Sequence, residues 1–190
     1  MALSQKLRNW HIPLYHDNLI LKEVYKHFKS MSAGQEKIPL IVQLIENPKY
    51  SLPGVTLFNG ATDLKTHDYI HILLARGTLP KDEAFVLGFT MGSTSKVSTT
   101  EEKLYELCSK YLYPKVYQFS DEDIKVFKDG VRLGYISRCK ALDTINYKEL
   151  ENFTLKEVRE QIQLEKPLLS AYFEIEKANF PNSFESQRLL

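Results

Sequence analysis

His67, Asp68, His71 and Glu83 fall within seventeen residues, in a stretch that otherwise has the apolar spacing of a helix core. Imidazoles and carboxylates are metal-ligating side chains, and two imidazoles with carboxylates suit zinc, and also iron or manganese. An α-helix turns ~100° per residue, which sets His71 ~40° and Asp68 ~100° round from His67, on one stripe. Ile70, Leu73 and Leu74 fall on the other flank and can pack inward. The same spacing also fits a capped surface pair of histidines, and an acidic pair in a first helical turn is ordinary capping.

For Glu83 to join the histidines the chain must reverse. Gly77 suits a left-handed helix end, Thr78 can cap the next helix, and Pro80 belongs in a first turn. At ~1.5 Å per residue His71 lies ~9 Å before Gly77 and Glu83 ~7.5 Å beyond Thr78, so an antiparallel pair brings them level. Asp68 is either a fourth ligand or a partner that orients a ligand or water.

Three site classes differ by spacing. A zincin needs His-Glu-x-x-His, with the Glu as base; Asp68 stands in that place, one methylene shorter. A ferritin-like di-iron site needs two Glu-x-x-His motifs, and the chain has none. A His-Asp phosphohydrolase needs a further His upstream (His11, His16 or His27) and an Asp downstream (Asp121, Asp123, Asp129 or Asp143), and it stays open.

The pattern His67-Asp68-x-x-His71-x11-Glu83 resembles the signature of the coenzyme Q biosynthesis family called Coq-four, as does the Leu-rich continuation Ile72-Leu73-Leu74 before a Gly-containing turn. A weaker likeness runs through Arg132, Gly134, Tyr147 and Leu155–Arg159, so that residues 30–165 are covered. Phe85–Ser98 and the tail after Leu164 depart from the usual pattern, as in a divergent member. The resemblance implies an all-helical fold and a divalent metal, zinc first, held by His67, His71 and Glu83. Asp68 is then a fourth ligand or base, and Glu83 a ligand or base. It also implies a prenylated quinone precursor or other isoprenoid lipid as partner, ring decarboxylation with hydroxylation at the same carbon, and work beside a membrane surface. A homodimer or a biosynthetic complex is the expected assembly. The alternative on the same residues is a non-enzymatic prenyl-lipid-binding scaffold with a structural metal.

The whole chain of 190 residues reads as one domain, 43% hydrophobic and 26% charged. A net charge of +1, with no basic stripe interleaved with aromatics, gives no reason to expect nucleic acid. Cys108 and Cys139 read as reduced thiols rather than a disulfide. No apolar run reaches the ~18 residues of a membrane span, and no targeting segment is visible. The expected location is the cytoplasm, peripheral to the inner membrane.

Apolar periodicity and caps predict an all-α bundle with its core over 14–178. Helices are expected at 14–32, 38–46, 64–76, 79–95, 101–112, 121–135, 155–163 and 166–178, with a loop at 47–60 and an extended or frayed tail from 179. Lys22, Lys26, His27 and Lys29 form a basic face for solvent or anionic lipid. Gly88 and Gly92, four apart, predict a close helix crossing; the alternative is an apolar groove near the metal that holds a ligand chain.

Overall fold

The computed structural model describes residues 9–32 and 58–190, so the expected helix at 38–46 and most of the loop at 47–60 lie outside the described residues. The fold is all-α. The first helix, α1 (Leu21–Ser32), starts seven residues later than its apolar spacing suggests. Residues 17–20 are taken by a neighbour instead. Leu155 and Lys156 donate to the carbonyls of Leu19 and Asp17, and Leu21 and Lys22 donate to those of Phe153 and Glu151. One isolated antiparallel bridge, Ile20 to Thr154, results, and no strand forms among the described residues.

The next two helices carry the histidine and glutamate segment. α2 (Leu64–Leu73) begins at Asp63, whose carboxylate accepts from the Lys65 and Thr66 amides. It ends before the expected residue 76. Ala75, at φ +52°, takes the left-handed position assigned above to Gly77. The end is fixed by Arg159, whose Nε donates to the Leu73 carbonyl at 3.1 Å. α3 (Pro80–Ser93) opens with Pro80 as expected, but Leu79 rather than Thr78 is its cap. The Leu79 amide donates to Asp82 Oδ2 at 3.1 Å, so the Asp closes the first turn from inside the helix.

Capping boxes start three later helices. Ser98 with Glu101 opens α4 (Thr99–Leu107), two residues before the start expected at 101. A π-helical turn at Cys108–Leu112 follows and stops before Pro114. Ser120 with Asp123 opens α5 (Asp121–Ile136). A short α6 (Tyr147–Leu150) precedes α7 (Leu155–Gln161), capped by Thr154 with Glu157. α8 (Lys166–Asn179) leads into a tail that is neither extended nor frayed: it forms α9 (Phe184–Gln187), with Ser186 and Leu189 fully buried.

One hydrophobic cluster joins these elements, with Phe85, Phe89, Tyr105, Phe127 and Phe173 at its centre. Across it α3 and α5 meet backbone to backbone. A Cβ on Gly88 or Gly92 would lie 2.1 Å from the carbonyl oxygen of Phe127 or Val131. Gly130 and Gly134 reciprocate against the Phe85 and Phe89 carbonyls, at 2.8 and 2.3 Å. The close crossing is thus observed, and the face that Gly88 and Gly92 present is filled by α5 rather than by a ligand chain. Cys108 and Cys139 are buried free thiols. No described helix is long and apolar enough to cross a membrane.

Candidate metal centre

His67 and His71 lie one turn apart on α2, their rings edge to face with centroids 4.6 Å apart. Glu83, in the first turn of α3, faces both. The Glu83 Oε2 atom lies 3.0 Å from His67 Nε2 and 3.2 Å from His71 Nε2, and the two Nε2 atoms are 2.9 Å apart. The antiparallel reversal inferred from Gly77 to Pro80 is what brings them level.

The protonation pattern is constrained from behind. His71 Nδ1 donates to the Gly77 carbonyl at 2.6 Å, which in a neutral ring leaves the Nε2 lone pair aimed at the other two groups. Burial would push the Glu83 carboxyl up, but the facing imidazoles of His71 and His67 outweigh it and hold the group well below the usual carboxylate range. Glu83 is therefore an anion at neutral pH. Two imidazole nitrogens and a carboxylate oxygen then crowd together with too few protons to bridge every pair. A cation placed between them could take all three donor atoms at once. Tetrahedral zinc, with bonds of ~2.0–2.1 Å, separates its donors by ~3.3 Å, close to the distances seen here. Side-chain exposure rises from 2% at His71 through 17% at His67 to 34% at Glu83, so the cluster has a closed back and an open front.

Asp68 is not in this cluster. The ~100° rotation from His67 carries it round α2 to face Lys29, with Oδ2 3.7 Å from Nζ. It is 6% exposed, and burial raises its carboxyl above the usual value against the pull of His67 and Lys29. Nor are the other residues needed by a His-Asp phosphohydrolase gathered here. His11 lies against the Ala75 carbonyl and His16 stacks on Tyr15. Asp121 pairs with Lys110, Asp123 caps α5, and Asp129 pairs with Lys125. Among the described residues, His67, His71 and Glu83 are the one group of three or more such side chains close enough to share an ion.

Residues behind the cluster carry no motif of their own. Asp82 is fully buried and paired with Arg188 at the C-terminal end of the chain. Arg76, also fully buried, pairs with Glu176 through contacts of 2.6 and 3.0 Å. No spacing rule links positions 100 or more residues apart, so these partners are visible only in the fold. No protein-family model, curated protein or solved structure matches the chain.

Proposed function

We propose that this protein binds one divalent ion, zinc, through His67 Nε2, His71 Nε2 and Glu83, and acts on a prenylated quinone precursor in coenzyme Q synthesis, as the Coq-four signature implies. The observation that carries the reading is the convergence of these three donor atoms, 2.9–3.2 Å apart, with the second nitrogen of His71 already committed to Gly77. The motif supplies the substrate class and the structure supplies the donor set.

A bound divalent ion would stabilise negative charge developing on a substrate oxygen or carboxylate. The chain's own part is to hold the donors and shape access. His71 is fixed by its Nδ1–H bond to Gly77 and shielded from water. Glu83 supplies a permanent negative charge at the open side, where a substrate would approach. Asp68, buried next to His67 and facing Lys29, serves as a neighbouring carboxyl group rather than as a fourth donor.

The test is metal content with function read in parallel. Purified wild type should carry close to one zinc ion per chain, and His71→Ala should lose most of it. Cells lacking their own Coq-four protein should recover quinone synthesis with wild type and not with His71→Ala. Equal metal in the two proteins would remove the site, and metal binding without rescue would remove the substrate class. Chelation separates catalysis from scaffolding: loss of turnover with the fold intact fits a catalytic ion, whereas unfolding fits a structural one.

A further inference from the structure

The turn between α2 and α3 holds the second-nitrogen partner of His71 and leads directly into Glu83. Local bonds close it, from the Leu79 amide to Asp82 and from His71 Nδ1 to the Gly77 carbonyl, and side chains from elsewhere brace it. The C-terminal segment braces it at two points. Arg76 at the start of the turn is fully buried, and its guanidinium pairs with both carboxylate oxygens of Glu176 on α8. Glu176 also accepts from Ser186 Oγ of α9 at 2.9 Å, which ties α9 to the same pair. Two residues further on, the chain turns back and Arg188 Nη2 pairs with Asp82.

Asp82 is the neighbour of Glu83 and closes the first turn of α3 through the Leu79 amide. The Arg188 guanidinium reaches it by passing over Gly77. A Cβ at Gly77 would lie 1.9 Å from Arg188 Nη2 and 2.7 Å from the Trp10 carbonyl. Gly77 has no left-handed φ to explain it, so the residue is required here for close approach. One charged group thus presses on the residue that accepts from His71 and pairs with the residue beside Glu83.

We propose that the C-terminal segment from Glu176 to Arg188 is a latch on the metal-binding turn, and that Arg188 is a positioning residue setting His71 and Glu83 at bonding distance of a common ion. The inference rests on the metal reading above for its consequence, but not for its mechanical content. Partners that orient metal ligands typically change affinity by ~10–100-fold when removed. Arg188→Ala is expected to fall in that range. Arg188→Lys keeps the charge but loses the fork that spans Gly77 and Asp82, and should recover part of the loss.

The experiment compares full-length wild type, Arg188→Ala and Arg188→Lys. Zinc affinity is read by competition with a chromophoric chelator, well below each protein's unfolding temperature. Amide exchange of the zinc-free proteins is read peptide by peptide. The latch predicts weaker zinc binding by ~10–100-fold in Arg188→Ala, with faster exchange confined to residues 74–83 and no change at the α3–α5 crossing. Unchanged affinity overturns it. So does acceleration spread through the crossing, which would mean general loss of stability. If Arg188→Ala does not fold, Asp82→Asn removes the same pair and keeps an acceptor for the Leu79 amide. If wild type and His71→Ala both take up no zinc, the metal reading fails, and exchange at 74–83 alone decides the latch: faster in Arg188→Ala upholds it, unchanged overturns it.

Discussion

α3 belongs to two regions built on opposite principles. Along its length it crosses α5 with glycine backbones in contact, Gly88 and Gly92 against Gly130 and Gly134. At its N-terminus it meets the end of α2 through a turn held by charged side chains from distant parts of the chain. The crossing has no adjustable part: a neighbour can yield only by moving a helix. The turn is adjustable throughout, because Arg76, Asp82, Arg188 and His11 are side chains whose partners can be changed singly. The facing atoms of His67, His71 and Glu83 lie next to the adjustable region, while the body of α3 is held by the rigid crossing. The comparison predicts that damage at the two places will look different.

The largest effect should come from breaking the buried pair behind the turn. Glu176→Leu leaves the Arg76 guanidinium, between the Phe85 and Phe173 rings, without its counter-ion. A buried pair broken on one side costs ~3–5 kcal/mol. Replacing both members, as Arg76→Met with Glu176→Leu, should return most of that, because the isolated buried charge is gone. Urea unfolding of the two variants checks it. A double variant no more stable than the single one would mean that the pair contributes more than mutual neutralisation.

Gly92→Ala tests the other region. Its new methyl would meet the Val131 carbonyl and the Tyr135 amide, both backbone. Overpacking of this kind costs ~1–3 kcal/mol. No second substitution of a side chain can relieve it, which separates this site from the Glu176 pair. Stability near that of wild type would show that α3 and α5 can slide, and would weaken the contrast between the regions.

The sequence showed these regions unequally. Helix starts with local signals were legible: Pro80, Ser120 with Asp123 and Thr154 with Glu157 all open helices. So were His67, His71 and Glu83, because an i, i+4 pair and a short reversal fix their placement locally. Of the two places open to Asp68, ligand or neighbouring partner, the ~100° of rotation from His67 puts it outside the three-donor cluster and against Lys29. The start of α1 was misread because apolar spacing says nothing about the backbone, and residues 17–20 bond to 155–156. The ordered tail was illegible for a related reason. Phe184 to Leu189 has only a Ser183 cap as a local signal, and its burial is completed by contacts to Glu176 and Asp82 that the sequence does not show.

The smallest predicted effect concerns the other side of the turn and depends on pH. His11 Nε2 lies 3.1 Å from the carbonyl of Ala75, the residue at φ +52°. Burial, then the Arg188 charge, lower its pKa to about 4; Arg76 and His16 act in the same direction, and the bond to Ala75 opposes them. An unfolded histidine titrates near ~6.5. Between those values the unfolded chain binds the proton and the folded chain does not, so stability is full above ~6.5 and falls as pH drops towards 4. A shift of this size, reduced for partial exposure, amounts to ~1–2 kcal/mol. His11→Gln keeps a donor for Ala75 and removes the titration. Whatever it costs at pH 7, it should regain ~1–2 kcal/mol relative to wild type by pH 4. Urea unfolding of both proteins at pH 7, 5.5 and 4 reads the difference directly. A gap constant with pH would show that His11 takes up its proton as readily folded as unfolded.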